Sequence, residues 1–352
     1  MKTRICRLHA KGDLRIEEID VREPGPGEVL IAMGAGGICG SDLHYYQDGG
    51  FGPIRVKEPI ILGHEVAGTV RATGPDVEEL HVGDRVAVNP SRPCNQCRYC
   101  REGLQQHCLT MRFFGSALRY PHEQGGFRDL MVVDALQCVR IENPEISLGE
   151  AACAEPLAVC LHALNRAGMS AGNLAGKSVL VTGAGPIGAL VVAALRHAGA
   201  GHIVVTDLQD MALETARRMG ADETINVGTE VERLDAYGAG KGTFDVVFEC
   251  SAAGPAIRSA IAATRPQGTL VEVGVAGDVA VPLNLLVGKE IAFVGTHRFV
   301  GEYAQAVGLI ASRRIDVRPI ISATHDLDDA ATAFAMAADR TRFTKVQLSF
   351  DD

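Results

Sequence analysis

Four cysteines fall within the fifteen residues CNQCRYCREGLQQHC: Cys94, Cys97, Cys100 and Cys108, spaced C-x2-C-x2-C-x7-C. Four thiolates at such spacing can close a tetrahedron around zinc and leave no position for water or substrate. The rival is an iron–sulfur cluster. The bacterial ferredoxin run, however, has a shorter last gap followed by proline, whereas here seven residues precede Cys108 and Leu109 follows it. A structural zinc is expected, stapling a loop with little core of its own. His107 adjoins this set, but Cys108 fits the spacing better. Three further residues suggest an open metal site: Cys39 in GGICGSDLHYY, His64 in ILGHEVAG and Glu155 in CAEPLAV. Alone, each also reads as a buried thiol, a satisfied histidine or a helix-terminal acid. Together, one thiolate, one imidazole and one carboxylate leave a fourth position for a substrate oxygen.

A second kind of chemistry is written in VLVTGAGPIG. Gly183, Gly185 and Gly188 have the G-x-G-x-x-G spacing, with Pro186 and Ile187 between the last two. The first glycine permits a tight turn, the second lets a pyrophosphate approach the backbone, and the third lets helix and sheet pack closely. The phosphates would sit at the helix N-terminus. The motif follows a strand, opens a helix and precedes Asp207, the last residue of HIVVTD, by a little over twenty residues. That context separates a dinucleotide loop from a plain glycine-rich turn. The Asp207 carboxylate suits a ribose 2′-OH and repels a 2′-phosphate. Leu208, Gln209 and Asp210 add no arginine, so NAD is expected over NADP.

These residues need elements to position them. The 352 residues suggest about two domains. Residues 1–150 read as nearly all β, with runs such as EVLIAM, EVAGTV and DRVAV between Gly, Pro and Asp turns. SLGEAACAEPLAVCLHALNRA has helical spacing. Strands KSVLVT, HIVVTD, FDVVFE, TLVEV and EIAFVG then alternate with helices PIGALVVAALRHAG, MALETARRMGAD and PAIRSAIAATR. Such alternation implies a parallel, doubly wound sheet. The tail from about 296, with helix EYAQAVGLIASRR and strand KVQLSF, returns to the first unit. The expected fold is α/β: a β-rich unit over 1–150 and 296–352, and a Rossmann domain over 151–295.

Composition narrows the function. A formal net charge of -9 argues against nucleic acid. No apolar stretch is long enough to span a bilayer, and the start MKTRICRLHAKGD lacks the apolar run of a signal peptide. A cytoplasmic protein is expected, in which clustered cysteines mean metal before disulfides. Cys6, Cys138, Cys153, Cys160 and Cys250 sit among apolar neighbours and read as small buried hydrophobes.

GGICGSD, GHEVAG, VGDRVAV, the four-cysteine lobe, AEPLAV and VTGAGPIG together, in order, resemble the zinc-dependent medium-chain dehydrogenases from end to end. The resemblance implies a GroES-like catalytic domain, two zinc ions per chain and NAD. It makes Cys39 and His64 catalytic zinc ligands. A glutamate at position 155, where alcohol dehydrogenases have cysteine, points to the polyol branch. It also implies that Glu65 sits near the zinc, that Ser41 and His44 relay a proton to solvent, and that Arg298 lies in the substrate pocket. GGICGSDLHYYQDG, AVNPSRPCNQCRYC and MRFFGSALRYPHEQGGF most resemble a sugar-acid member of that branch. A sugar acid brings a carboxylate, for which Arg298 and Arg112 are the candidate partners, with Tyr45, Phe113 and Phe114 as pocket walls. A neutral polyol is the alternative substrate. A zinc- and dinucleotide-binding protein without catalysis is the alternative class, disfavoured because the metal and loop residues are all present. A homo-oligomer, tetrameric by resemblance, is implied, with no nucleic-acid or membrane partner.

Overall fold

The runs EVLIAM and EVAGTV become the adjacent antiparallel strands Glu28–Gly37 and Glu65–Thr73. The computed structural model describes residues 1–168 and 174–350. DRVAV adds the strand Arg85–Val88, paired antiparallel to Glu65–Thr73. Cys138–Arg140 extends that edge. On the other side Glu28–Gly37 pairs with Lys345–Ser349, which pairs in parallel with Ile321–Asp326. Leu130–Asp134 completes a seven-stranded sheet. The tail strand therefore lies beside the strand that leads into Cys39 and one strand away from the one that leaves His64. Buried Ile31, Met33, Val66, Val70, Phe127, Phe334 and Leu348 fill this unit.

From Ser178 the chain winds a six-stranded parallel sheet. In spatial order the strands are Glu223–Asn226, His202–Asp207, Ser178–Thr182, Phe244–Glu249, Thr264–Glu272 and Ala292–Gly295. This is the doubly wound order, with its switch point between the first and fourth strands in sequence. The strands are near-continuous Val, Ile and Leu runs because helices cover both faces. Leu180, Val204, Val247 and Leu270 pack on one side, and Val181, Val205, Phe248 and Val271 on the other.

Three differences from the sequence reading have local causes. The helix expected over SLGEAACAEPLAVCLHALNRA is two: Leu148–Ala152, capped by Ser147 with Glu150 reaching back, and Ala154–Arg166. The break at Cys153 reorients the chain so that Glu155 opens the second helix. Strand Glu223–Asn226 is only four residues of ETIN, too short and polar to stand out. The tail divides its packing. Its strands join the N-terminal sheet, whereas helix Glu302–Ala311 packs on Ala154–Arg166, with Glu302 Oε1 2.9 Å from His162 Nδ1. No helix among the described residues is long and apolar enough to cross a membrane.

Candidate functional site

Cys39 ends the turn after strand Glu28–Gly37 and caps helix Gly40–Asp48. His64 immediately precedes strand Glu65–Thr73. Pairing of these strands brings the two residues together. Cys39 Sγ, a His64 ring nitrogen and a Glu65 carboxylate oxygen all lie within 4.8 Å of one another. A thiolate, an imidazole and a carboxylate at such separations fit zinc, with a fourth position left for a ligand. The sequence pattern pointed to Glu155 as the third member. The structure brings in Glu65, and Glu155 stays outside the group. Glu155 is nevertheless buried, pushed up to about 7 by burial, with Glu65 adding to the rise and His64 opposing it.

Two residues that the sequence left unremarked hold this group. Asp42 is fully buried; its Oδ2 accepts from Cys39 N at 3.0 Å, and its Oδ1 lies 3.7 Å from His64 Nδ1. A carboxylate behind one ring nitrogen orients the other toward a metal. Burial works against charge on His64, but Asp42, then Cys39, override it and raise the ring to about 10. Lys345, from the tail strand, places its ammonium 2.8 and 2.7 Å from the two Glu65 oxygens and 3.2 Å from the Ile38 carbonyl. Both partners are nearly solvent-free, at 3% and 2% side-chain exposure. Burial alone would strip the Lys345 proton; Glu65 and Cys39 keep it in place. Gly37 makes room, since a Cβ there would meet Glu65 Oε2 at 2.1 Å.

Phe113, the last residue of the short strand Arg112–Phe113, faces this group. Phe113 lies 5.4 Å from the His64 ring, centroid to centroid, and carries the Arg298 guanidinium 4.1 Å over its face. Arg112, before it on the strand, turns the opposite way, and Phe114 lies in the turn that follows. Arg112 is half-exposed and paired to Glu123 at 2.6 Å, and Phe114 is buried beside a separate cavity of about 220 Å³ that Arg112 also lines. Arg298 has a left-handed backbone, φ 53°. Burial pulls its affinity for the proton below the ordinary arginine value, and Glu155 and Tyr45 offset only part of that. Among the described residues no carboxylate forms an ion pair with Arg298. Tyr45 is buried, and its hydroxyl accepts from Ala117 N at 3.1 Å. Ser41 and His44 stand three apart on helix Gly40–Asp48, on one face. Ser41 is half-buried, and His44 is exposed with Nδ1 3.2 Å from Asp48 Oδ2.

The cysteine lobe is separate. Sγ atoms of Cys97 and Cys100 are 3.6 Å apart, and those of Cys94 and Cys100 4.0 Å. These bracket the roughly 3.8 Å expected between tetrahedral zinc thiolates. Backbone amides point at the sulfurs: Cys94 N to Cys108 Sγ at 3.2 Å and Cys97 N to Cys94 Sγ at 3.4 Å. The lobe also touches the site's rim, because the His107 ring stacks on His297, next to Arg298, at 5.8 Å. The remaining five cysteines are free and buried or half-buried.

The glycine loop has the shape a pyrophosphate needs. Gly183 has φ 87°, and a Cβ there would come within 2.8 Å of Ser251 N. A Cβ on Gly188 would strike Gly183 O at 1.8 Å, whereas one on Gly185 would meet nothing within 4 Å. The open side at Gly185 is where a ligand can approach. Gly185 caps helix Pro186–His197, with Pro186 in its first turn, and the Ile187 carbonyl accepts from Cys160 Sγ at 3.4 Å. Asp207 braces the loop, its Oδ2 accepting from Ala184 N at 2.7 Å and its Oδ1 from Gln209 N at 2.8 Å.

Comparison with known proteins bears on the whole chain. Residues 25–143 match the alcohol dehydrogenase GroES-like domain, and residues 186–312 match the zinc-binding dehydrogenase domain. L-Idonate 5-dehydrogenase (NAD(P)(+)) of Escherichia coli strain K12 is 40% identical over 351 residues, covering 99% of both chains. A crystal structure of L-idonate 5-dehydrogenase from that organism superposes with a TM-score of 0.92 over 99% of both chains. Sorbitol dehydrogenase of Gallus gallus is 36% identical, covering 98% of this chain and 95% of its own. With both family domains in order, an open Cys–His–Glu group, a four-cysteine lobe and a dinucleotide loop, the chain belongs to the zinc-dependent medium-chain dehydrogenases, in the branch that holds these sugar-acid and polyol enzymes.

Proposed function

We propose that the chain oxidises a secondary alcohol of a sugar acid, L-idonate before others, and delivers the hydride to NAD. The observation that carries this reading is Arg298: a guanidinium beside the metal group, held over Phe113 and without a paired carboxylate. A planar guanidinium suits bidentate capture of a carboxylate. The 40% identity to L-idonate 5-dehydrogenase supports the same substrate class. Because that relative is named for both nicotinamide cofactors, the preference for NAD rests on Asp207. Leu283, Val287 and Phe293, exposed on and beside the outer strand of the parallel sheet, support a homo-oligomer.

Cys39, His64 and Glu65, with Glu155 nearby, would hold a zinc whose Lewis acidity lowers the pKa of a bound alcohol. A bound nicotinamide ring would accept the hydride. The chain's own residues do the rest. Arg298 anchors the carboxylate end, so one hydroxyl is presented to the metal group. The Phe113 ring and buried Tyr45 shape a wall that excludes water. Ser41 receives the alcohol proton at its Oγ as its own hydroxyl proton leaves, and exposed His44, with Nδ1 beside Asp48, passes a proton on to solvent.

NADH formation should be followed with L-idonate, D-gluconate, sorbitol and xylitol. L-Idonate is expected to give the highest kcat/KM; faster turnover of sorbitol would sink the sugar-acid reading and favour the neutral-polyol one, which the sorbitol dehydrogenase relatives support. Arg298→Ala is expected to raise KM for the sugar acid by about tenfold to hundredfold, the loss of a charged hydrogen bond, and to leave KM for sorbitol within about threefold. Equal effects on both would remove Arg298 from carboxylate recognition.

A further inference from the structure

Glu249 ends strand Phe244–Glu249, Glu272 ends strand Thr264–Glu272, and the two pair residue to residue in parallel register. In-register residues on neighbouring parallel strands project from the same face, about 4.8 Å apart. Thr182 flanks Glu249 in the same row, and Gly295, lacking a side chain, flanks Glu272. Glu249 is fully buried and saturated with donors. Its Oε1 accepts from Ser251 N at 2.9 Å, from Ser251 Oγ, and from Thr182 Oγ1 at 3.2 Å; its Oε2 accepts from Ala252 N at 2.9 Å. Glu272 has none of this. Both its oxygens are shielded from water and receive no hydrogen bond. The Glu249 carboxylate lies within its reach.

Two buried carboxyl groups in this arrangement cannot both ionise. Donors surround Glu249 and none reaches Glu272, so the proton the pair keeps sits on Glu272, directed at Glu249. Burial, then the Glu249 charge, pushes Glu272 up to about 8. Nearby ionisable groups offer no relief. Burial pushes the Cys250 thiol up, and Cys160 and then both carboxylates add to the rise. Lys289 binds the Ile261, Ala262 and Thr264 carbonyls at the far end of the Thr264–Glu272 strand. Arg258, on helix Gly254–Ala263, lies beside Gly254 and Val279. Among the described residues neither acid forms an ion pair.

What this pair supports is the turn at 250–253. Glu249 fixes its amides, and the turn backs the phosphate loop directly, since Gly183 abuts Ser251 N and the Cys250 carbonyl carbon. Cys250 N donates to Thr182 O at 2.8 Å, and Gly274 abuts Ala252. We propose that Glu249 and Glu272 share one proton behind the phosphate loop, and that losing it loosens the chain's hold on the dinucleotide. With the proton present, Glu272 donates to Glu249 and the turn is seated. When the proton passes to solvent, two like charges face each other and the Glu249 anchor is pushed off its amides. The proposal rests on the dinucleotide reading of the loop and is independent of the substrate.

The sign follows. The proton-bearing form prevails below about pH 8, so binding is tight there and weakens as pH rises through that value. NADH affinity of the zinc-loaded enzyme should be titrated by fluorescence from about pH 6.5 to about pH 9.5. Wild type is expected to weaken about tenfold, and Glu272→Gln, which keeps a donor to Glu249 without a titrating proton, to stay within about twofold. A flat wild-type profile, or parallel weakening of the variant, overturns the proposal. Infrared spectroscopy of the wild type alone gives a second reading: a protonated-carboxyl band at neutral pH that fades in step with NADH affinity supports it, and no such band overturns it. Tight but pH-independent NADH binding would reject the shared proton while leaving the loop's role intact.

Discussion

Replacing His64 by alanine is expected to lower kcat/KM by at least about a thousandfold, the loss of several kcal/mol of Lewis-acid stabilisation. Zinc content should fall from about two to about one per chain, because the four-cysteine site is closed and separate. NADH affinity at fixed pH should hold, since the phosphate loop is built on the other sheet. A variant that kept both metal ions and lost activity would take His64 out of the metal group. One that kept its activity with a single zinc would remove the catalytic metal altogether.

The second large effect is on stability. Lys345→Met is expected to destabilise the fold by about 3–5 kcal/mol, because it leaves the Glu65 carboxylate buried without its cation. The melting temperature should drop by roughly ten degrees. Lys345→Met combined with Glu65→Gln removes both charges and should recover most of that loss, as the non-additivity of contacting residues requires. Additive losses in the double variant would mean that the pair contributes no coupling.

Locality explains what was legible beforehand. The cysteine lobe depends on residues within one short stretch, and strand–helix alternation from Ser178 onward repeats at a period the chain displays openly. The glycine loop is legible for the same reason. Asp42 and Lys345 were not, although both hold the metal group. Asp42 looks like one more polar residue in GSDLHYY, and Lys345 like a solvated lysine opening KVQLSF. Their burial is decided by strands that pair only in three dimensions. Phe113 and Phe114 stand side by side in MRFFGSA, and the strand that ends between them is two residues long, too short to assign from pattern. Glu272 in TLVEVGV resembles the solvent-facing residue of an ordinary strand. Only the register against Glu249 reveals an acid with shielded oxygens facing another acid.

Glu65 and Lys345 are 280 positions apart. A ribosome adding about 5–20 residues per second takes roughly a quarter of a minute to a minute to cover that interval. Throughout it, the histidine-bearing strand has been made but the cation that neutralises its acid has not. The N-terminal sheet therefore cannot settle with Glu65 ionised inside it while the chain is still being synthesised. The Rossmann unit, whose strands are contiguous in sequence, is free to finish first, and the metal centre is assembled last although its ligands are translated early.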